Sequence, residues 1–239
     1  MSADNHLPDG NPARGKITNG LAAGTLVERT IEFVLTELPG WRDDPNRPAE
    51  ESEERLNAQL CKYLQVAARH SLKMVFFQHE EKQTGIRRVD FSALPTETGF
   101  VGTSFHTIYD PFLVFEGKRL PPPKNGPNRE REYVTGGDEK SGGIQRFKLG
   151  LHGAKHEVAV IIGYIQEDTP AEWYGRINGW IRELEGAIQS DGTKWSSIDR
   201  LSDFVENNRK RIATSLSKHL RSDEIISSNI LIHNLWVQM

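Results

Sequence analysis

Apolar residues recur every three or four positions over residues 25–38 and 49–70. This spacing places them on one side of a helix, so both segments are predicted to be helices with one buried face. The same spacing predicts helices over residues 169–188 and 198–220. The third of these begins with Thr169, Pro170 and Glu172, which are typical of a capped helix start.

Shorter apolar runs between these segments predict strands over residues 72–77, 87–94, 105–119, 156–166 and 229–237. The run from Val158 to Ile165 is almost continuously apolar, which is typical of a strand buried on both faces. Gly142 and Gly143 predict a hinge that leads into a short helix ending near residue 151. This order of helices and strands predicts an α/β fold with a mixed sheet.

The chain of 239 residues suits a single domain. Residues 1–24 are polar and rich in Gly, Pro and Asn, and we expect a flexible tail there. We expect one domain over residues 25–239, with a core over about 49–166 and a C-terminal helical extension over 169–239. Charged residues make up 26% and hydrophobic residues 36%, which is ordinary for a soluble protein.

The net charge of −3 gives no global sign of nucleic-acid binding, although basic residues can still be concentrated locally. The single cysteine, Cys61, excludes an internal disulfide and a cysteine-based zinc site. We find neither an apolar signal-peptide core nor an apolar run long enough to span a bilayer. We therefore expect a cytoplasmic protein without membrane contact.

Candidate chemistry lies in Glu116-Gly117-Lys118, at the end of an apolar run. Side chains alternate along a strand, so Glu116 and Lys118 point to the same face. An acid and a lysine on a buried strand are costly unless they share a task. Asp90, on the preceding predicted strand, could complete a site for a divalent cation and an activated water. The other two acid-x-lysine triplets lie in polar stretches predicted to be solvated loops, at Glu80–Lys82 and Asp138–Lys140.

Two further acids are candidates for this site. Glu53 lies one turn before the apolar face of the second helix, which would direct it toward the core, unlike Glu51 or Glu54. The alternative is that Glu53 only complements the helix dipole in the first turn. Asp110 could replace Asp90, but it lies on the same predicted strand as Glu116, which makes Asp90 the better candidate.

The succession of a helix with Glu53, a strand with Asp90, a strand with Glu116 and Lys118, a helix and a buried strand resembles the PD-(D/E)XK nuclease superfamily. The resemblance implies a restriction-endonuclease-like core, a mixed β-sheet flanked by helices. It implies that Asp90 and Glu116 bind Mg²⁺, with Mn²⁺ as a substitute, and that Lys118 positions the attacking water and stabilises the phosphate. It also implies catalytic roles for Glu53 and for Gln145.

The chain departs from the family pattern at two positions. Val89 replaces the proline that often precedes the aspartate. Leu149 stands where the exonuclease-type Gln-x-x-x-Tyr signature would have tyrosine, which disfavours an exonuclease.

Basic residues near this motif are candidates for DNA phosphate contacts. The alternative is a solvated loop rim, because acidic residues such as Glu130 and Glu132 are interspersed. The candidates for nucleic-acid binding are Arg119, Lys124, Arg129, Arg131, Arg146 and Lys148.

The segments around residues 115–120 and 142–147 resemble bacterial nuclease-like proteins, some of them associated with phage defence. The resemblance implies a metal-dependent DNA endonuclease that acts as a defence or restriction effector with a partner subunit or as a homo-oligomer. One alternative is an inactive nuclease-like domain that binds nucleic acid or a partner protein. Another is a scaffolding subunit, in which Glu116 and Lys118 would pair only with each other.

Overall fold

The computed structural model describes residues 25–50, 52–83, 87–123, 129–186, 188–222 and 225–239. Within these ranges, the α-helices are α1 (Thr25–Arg42), α2 (Glu53–Ser71), α3 (Gly143–Lys148) and α4 (Pro170–Leu184). The strands are β1 (Val75–Lys82), β2 (Arg88–Pro95), β3 (Gly99–Val101), β4 (Ser104–His106), β5 (Leu113–Leu120), β6 (Val158–Ile165), β7 (Ser202–Asn207), β8 (Ile212–Leu220) and β9 (Asn229–Gln238).

Seven strands form one mixed sheet in the order β1-β2-β5-β6-β9-β8-β7. Strands β1, β2 and β5 pair antiparallel, β5, β6 and β9 pair parallel, and β9, β8 and β7 pair antiparallel. Strands β3 and β4 form a separate hairpin between β2 and β5. The predicted α/β class with a mixed sheet and flanking helices is therefore confirmed.

The sheet has a hydrophobic core on each face. Helices α1 and α2 pack on one face, where Leu56, Leu60 and Leu64 are fully buried together with Phe115 of β5. Helices α3 and α4 cover the other face, together with Val114 of β5. Since neighbouring residues of β5 face opposite cores, the strand that carries Glu116 and Lys118 is buried on both sides.

Helix α4 begins as the sequence predicts. The Thr169 hydroxyl accepts a hydrogen bond from the backbone N–H of Glu172, and the Glu172 carboxylate accepts one from the backbone N–H of Thr169. Trp173 and Trp180 lie in the core on its inner face. The helix ends at Leu184, however, and the side chain of Ile188 is 69% exposed instead of buried.

The predicted helix over residues 198–220 is wrong, because β7 and β8 occupy most of this segment. The spacing of Ile212, Leu216 and Leu220 is a multiple of two, and it therefore fits a strand as well as a helix. The buried face of β8 consists of Ala213, Ser215, Ser217 and His219. Because three of these four residues are polar, a search for hydrophobic periodicity does not identify this face as buried. The region 169–239 is consequently not a helical extension, since β7, β8 and β9 enlarge the sheet.

Three smaller predictions also differ from the structure. Helix α1 continues through Pro39 to Arg42 instead of ending at the proline. Glu80 and Lys82 belong to β1 and not to a loop. The strand predicted over residues 105–119 is confined to β5, because its first residues form part of the β3–β4 hairpin and a turn.

Candidate active site

Glu116 and Lys118 lie side by side on β5, near the middle of the sheet, where β5 is flanked by β2 and β6. Their side chains are 1% and 4% exposed, and 3.1 Å separates Lys118 Nζ from Glu116 Oε1. The predicted alternation along this strand therefore brings an acid and a base together in the interior. Burial alone would lower the pKa of Lys118, but the charges of Glu53, Glu116 and Asp90 raise it above its ordinary value.

Asp90 reaches the same motif from β2. The pairing of β2 with β5 ends at Phe91 and Phe115, and Asp90 and Glu116 are the next residues on the two strands. The Asp90 carboxylate accepts a hydrogen bond from the backbone N–H of Gly117, with 2.7 Å between Oδ2 and N. Burial and the negative charge of Glu116 raise the pKa of Asp90 well above its ordinary value. The two acids therefore repel each other in a buried environment, where charged groups are poorly stabilised.

Glu53, the first residue of α2, contributes a third carboxylate. Its Oε1 accepts a hydrogen bond from Lys118 Nζ at 2.8 Å, and its Oε2 accepts one from the backbone N–H of Arg119 at 3.1 Å. The prediction that Glu53 points toward the core is confirmed, since it is partly buried while Glu54 is exposed. Lys118 is thus held between Glu53 and Glu116 instead of pairing with Glu116 alone.

The glycine in the middle of the motif allows α2 to approach β5. A Cβ atom at Gly117 would lie 1.9 Å from Asn57 Oδ1, so a larger residue fits only if Asn57 is displaced. The same Asn57 oxygen accepts a hydrogen bond of 2.7 Å from the Tyr164 hydroxyl of β6. This close packing sets the distance at which Glu53, one turn earlier on α2, reaches Lys118.

Two further basic residues contact Glu116, and neither contact is predicted by the sequence. Arg146 Nη1 of α3 donates a hydrogen bond of 2.6 Å to Glu116 Oε1, and His152 Nδ1 lies 3.0 Å from Glu116 Oε2. Burial would raise the pKa of Glu116, but the charges of Lys118, His152 and Arg146 lower it well below its ordinary value. No motif in the sequence connects these residues, because the fold brings distant segments together.

Several polar atoms around Glu116 lack a hydrogen-bond partner. Glu116 Oε2 and His152 Nδ1 are buried 3.0 Å apart without a well-aligned hydrogen bond, and Arg146 Nε is buried and unpartnered. Unsatisfied buried polar atoms are costly, and they are common where a ligand, ion or water binds.

The carboxylates fit a magnesium ion in their chemistry. Mg²⁺ binds through one or two carboxylates and keeps several waters, and Asp90 and Glu116 supply two such groups. The raised pKa of Asp90 indicates a negative charge that lacks compensation and that a cation would stabilise. Among the residues that the structure describes, no group of three or more His, Cys, Asp or Glu side chains forms a metal site.

The predicted catalytic contact of Gln145 is not found. Its amide oxygen accepts hydrogen bonds from the backbone N–H groups of Gly136 and Gly142, and its amide nitrogen donates to Gly137 O and Asp191 Oδ2. These bonds use the whole amide group to hold the loop that precedes α3, so the role of Gln145 is structural.

Lys148 also lies elsewhere than predicted. Its side chain is 3% exposed and its Nζ lies 2.5 Å from Asp199 Oδ1, in a buried ion pair that a nucleic acid cannot reach. His219 contacts the same carboxylate through Nδ1 at 2.7 Å. Lys148 was a candidate because it lies near the motif in sequence, and this did not reveal its partner, because Asp199 lies in a segment that was predicted to be a helix.

The other predicted phosphate-binding residues are distributed around the site. Arg119 donates through Nε to Gln166, Arg129 pairs with Glu132, and Arg131 pairs with Glu183. Lys124 lies outside the residues that the structure describes. Four of the six predicted residues therefore have acidic partners when Arg146 on Glu116 and Lys148 on Asp199 are included.

The alternative acid Asp110 does not approach the site. It is exposed, and its carboxylate accepts hydrogen bonds from the backbone and hydroxyl of Thr107 in a turn. Asp138, in the third acid-x-lysine triplet, is also exposed and follows Gly136 in the loop before α3. The structure thus brings together Asp90, Glu116, Lys118 and Glu53, and leaves these other acids outside.

A scan against protein-family models, a search of curated proteins and a search of solved structures each find no match to this chain. Within the described part of the chain, none of the helices has the length and apolar character needed to cross a membrane.

Proposed function

We propose that this chain is a metal-dependent nuclease that hydrolyses DNA phosphodiester bonds. The observation that carries the proposal is the convergence of Asp90, Glu116 and Lys118 on two adjacent strands, with Glu53 bonded to Lys118. An acid whose pKa is raised by burial and by a neighbouring acid, beside a buried lysine, is typical of functional sites.

The arrangement of elements supports a restriction-endonuclease-like core. Helix α2 is followed by β1, β2 and β5, then by α3 and β6, and these four strands are neighbours in the sheet. This is the succession on which the resemblance to the PD-(D/E)XK superfamily rests. It supports the proposal through the position of the acidic and basic residues on these elements.

Each residue has a role that follows from its position. Asp90 and Glu116 would hold Mg²⁺ or Mn²⁺, which when bound makes a coordinated water more acidic and neutralises charge on the phosphate. Lys118 is kept positively charged by its acidic neighbours, and it would contact a phosphate oxygen or the attacking water. Glu53 fixes the position of Lys118 and of the β5 backbone after it.

A partner subunit or homo-oligomer fits the distribution of charge. The described basic residues close to the site are mainly engaged with acids, which leaves few free cations for binding long stretches of DNA. We therefore propose that targeting comes from a partner, in keeping with the resemblance to bacterial defence-associated proteins.

A second candidate is a nuclease-like domain that binds nucleic acid or a partner without cutting. One observation favours it: Glu116 is contacted by Lys118, Arg146 and His152, all of which compete with a metal for this carboxylate.

Cleavage of supercoiled plasmid and of linear single- and double-stranded DNA tests the proposal. The assay compares Mg²⁺, Mn²⁺ and a chelator for the wild type, Asp90→Asn, Lys118→Gln and the matched control Asp110→Asn. We expect metal-dependent cleavage that is lost in the first two variants and retained in the control, with folding checked by circular dichroism. Cleavage that persists with chelator or in Asp90→Asn would contradict the proposed site, and absence of cleavage with retained DNA binding would favour the second candidate.

A further inference from the structure

Three basic side chains surround the Glu116 carboxylate, and one of them differs in its access to solvent. The side chains of Lys118 and His152 are 4% and 2% exposed, whereas that of Arg146 is 24% exposed. Arg146 is therefore the cation of this group that can exchange partners without a rearrangement of the core.

The guanidinium of Arg146 uses only part of its hydrogen-bonding capacity here. Nη1 donates to Glu116 Oε1 at 2.6 Å, while Nε is buried without a partner. Arg200, in contrast, contacts both oxygens of Glu185 through Nε and Nη2. Because arginine presents donors in a rigid fork that fits carboxylates and phosphates, the unused donors of this partly exposed guanidinium point to a second anionic ligand of Arg146.

The charges around Glu116 also indicate an exchange. A divalent cation at Asp90 and Glu116 would add two positive charges beside Arg146, which repel it from the carboxylate. A backbone phosphate brings a negative charge to the same place. The arginine would then lose one anionic partner and gain another.

We propose that Arg146 is an exchangeable cation, which neutralises Glu116 in the metal-free protein and moves to a substrate phosphate when Glu116 binds metal. This inference rests on the proposed function and specifies how the same site recognises the phosphate backbone of its substrate. It predicts effects of opposite sign in Arg146→Gln. The variant binds metal more tightly, because a competitor for Glu116 is removed, and it binds nucleic acid more weakly.

The test measures Mn²⁺ binding by isothermal titration calorimetry without DNA. Binding of a fluorescent double-stranded oligonucleotide with Ca²⁺ is measured by anisotropy at several salt concentrations. The variants are Arg146→Gln, Arg146→Lys and the matched control Arg176→Gln. Arg176 also contacts a single acid through Nη1, but it lies on α4.

We expect Arg146→Gln to bind Mn²⁺ about tenfold more tightly and the oligonucleotide at least about tenfold more weakly. The slope of log affinity against log salt should fall in magnitude by about 0.9, the value for one lost phosphate contact. Arg146→Lys, which keeps the charge but not the fork, should bind Mn²⁺ like the wild type and the oligonucleotide with intermediate affinity. The control should match the wild type in both assays.

Two results separate the inference from the function on which it rests. In the first, the wild type binds Mn²⁺ and Asp90→Asn does not, but Arg146→Gln binds Mn²⁺ no more tightly or keeps its oligonucleotide affinity. The proposed exchange is then wrong, while the metal site is supported. If the wild type binds no Mn²⁺, the proposed nuclease site is wrong and the exchange is overturned with it.

Discussion

Gly117→Ala is the substitution whose effect follows most directly from the packing of the site. The added Cβ would lie 1.9 Å from Asn57 Oδ1 and 2.7 Å from Asn57 Cγ, far inside contact distance. Asn57 is fully buried and cannot move into solvent without a shift of α2. The substitution therefore displaces the asparagine and breaks its hydrogen bond with Tyr164.

The expected cost has two parts. Overpacking of a well-packed core costs about 1–3 kcal/mol, and leaving the buried Tyr164 hydroxyl unpaired costs about 1–3 kcal/mol. Replacement of glycine returns about 0.4–1 kcal/mol through the unfolded state. We expect a net loss of about 3 kcal/mol in the free energy of unfolding, which corresponds to a fall of roughly 6–12 °C in Tm.

Chemical and thermal denaturation measure this loss, with Gly179→Ala as the matched control. A Cβ at Gly179 meets no atom within 4 Å, and its position inside α4 favours alanine, so the control should be unchanged or stabilised. In the double variant with Asn57→Ala the clash is absent, and the combined loss should be at least about 1 kcal/mol smaller than the sum of the single losses. A loss below about 0.5 kcal/mol for Gly117→Ala, or strict additivity, would refute this reasoning.

Two further substitutions test other buried groups. Burial lowers the pKa of His156 from 6.5 to about 4. As the pH falls, the unfolded chain therefore binds this proton before the folded chain does. The free energy of unfolding should fall by up to about 3 kcal/mol between about pH 6.5 and 4. His156→Gln should lose this part of the pH dependence in denaturation curves, while the exposed His70→Gln keeps it. Lys148→Met should cost about 3 kcal/mol, because it leaves Asp199 without its buried cation, and should leave oligonucleotide affinity unchanged.

These two predictions can each fail in a recognisable way. Equal pH profiles for the wild type and the His156 variant would show that this imidazole titrates alike in the folded and unfolded states. A large loss of oligonucleotide affinity in the folded Lys148 variant would instead support the phosphate contact that was predicted from the sequence.

The acidic and basic residues on the sheet could be predicted because a strand has a simple period. Alternation alone places Glu116 and Lys118 on one face, and the apolar run before them identifies the strand. The position of Glu53 followed from the helical spacing of the apolar residues after it. Asp90 could be chosen over Asp110 because two acids six positions apart on one strand cannot both reach the same point.

The surroundings of Glu116 could not be predicted by the same means. The contacts of Arg146 and His152 with this carboxylate depend on how α3 and the following loop fold back onto β5, which no local spacing encodes. Gln145 lies next to Arg146 in sequence, yet its side chain points to the loop at Gly136 and Gly142. One residue along a short helix changes the direction of a side chain by about 100°.

The misassigned C-terminal segment has a different cause. The buried face of β8 carries serine and histidine side chains that bond to one another and to Asn234 and Asp199, so its polarity resembles that of an exposed surface. The hydrophobic residues that suggested a helix, such as Leu220 and Val205, are more than half exposed. Where a polar network is buried, polar residues face the core and apolar residues face solvent, so hydrophobic periodicity no longer identifies the buried face.

The central claim is that Asp90 and Glu116 hold a divalent cation beside Lys118, and manganese-soaked crystals test it most directly. Anomalous difference density collected near the manganese edge locates the ion independently of any assay. The account predicts a peak within coordination distance, about 2.0–2.3 Å, of one oxygen each of Asp90 and Glu116, and no peak in Asp90→Asn crystals. An undisturbed Arg146–Glu116 contact without a peak at high manganese concentration would contradict the account.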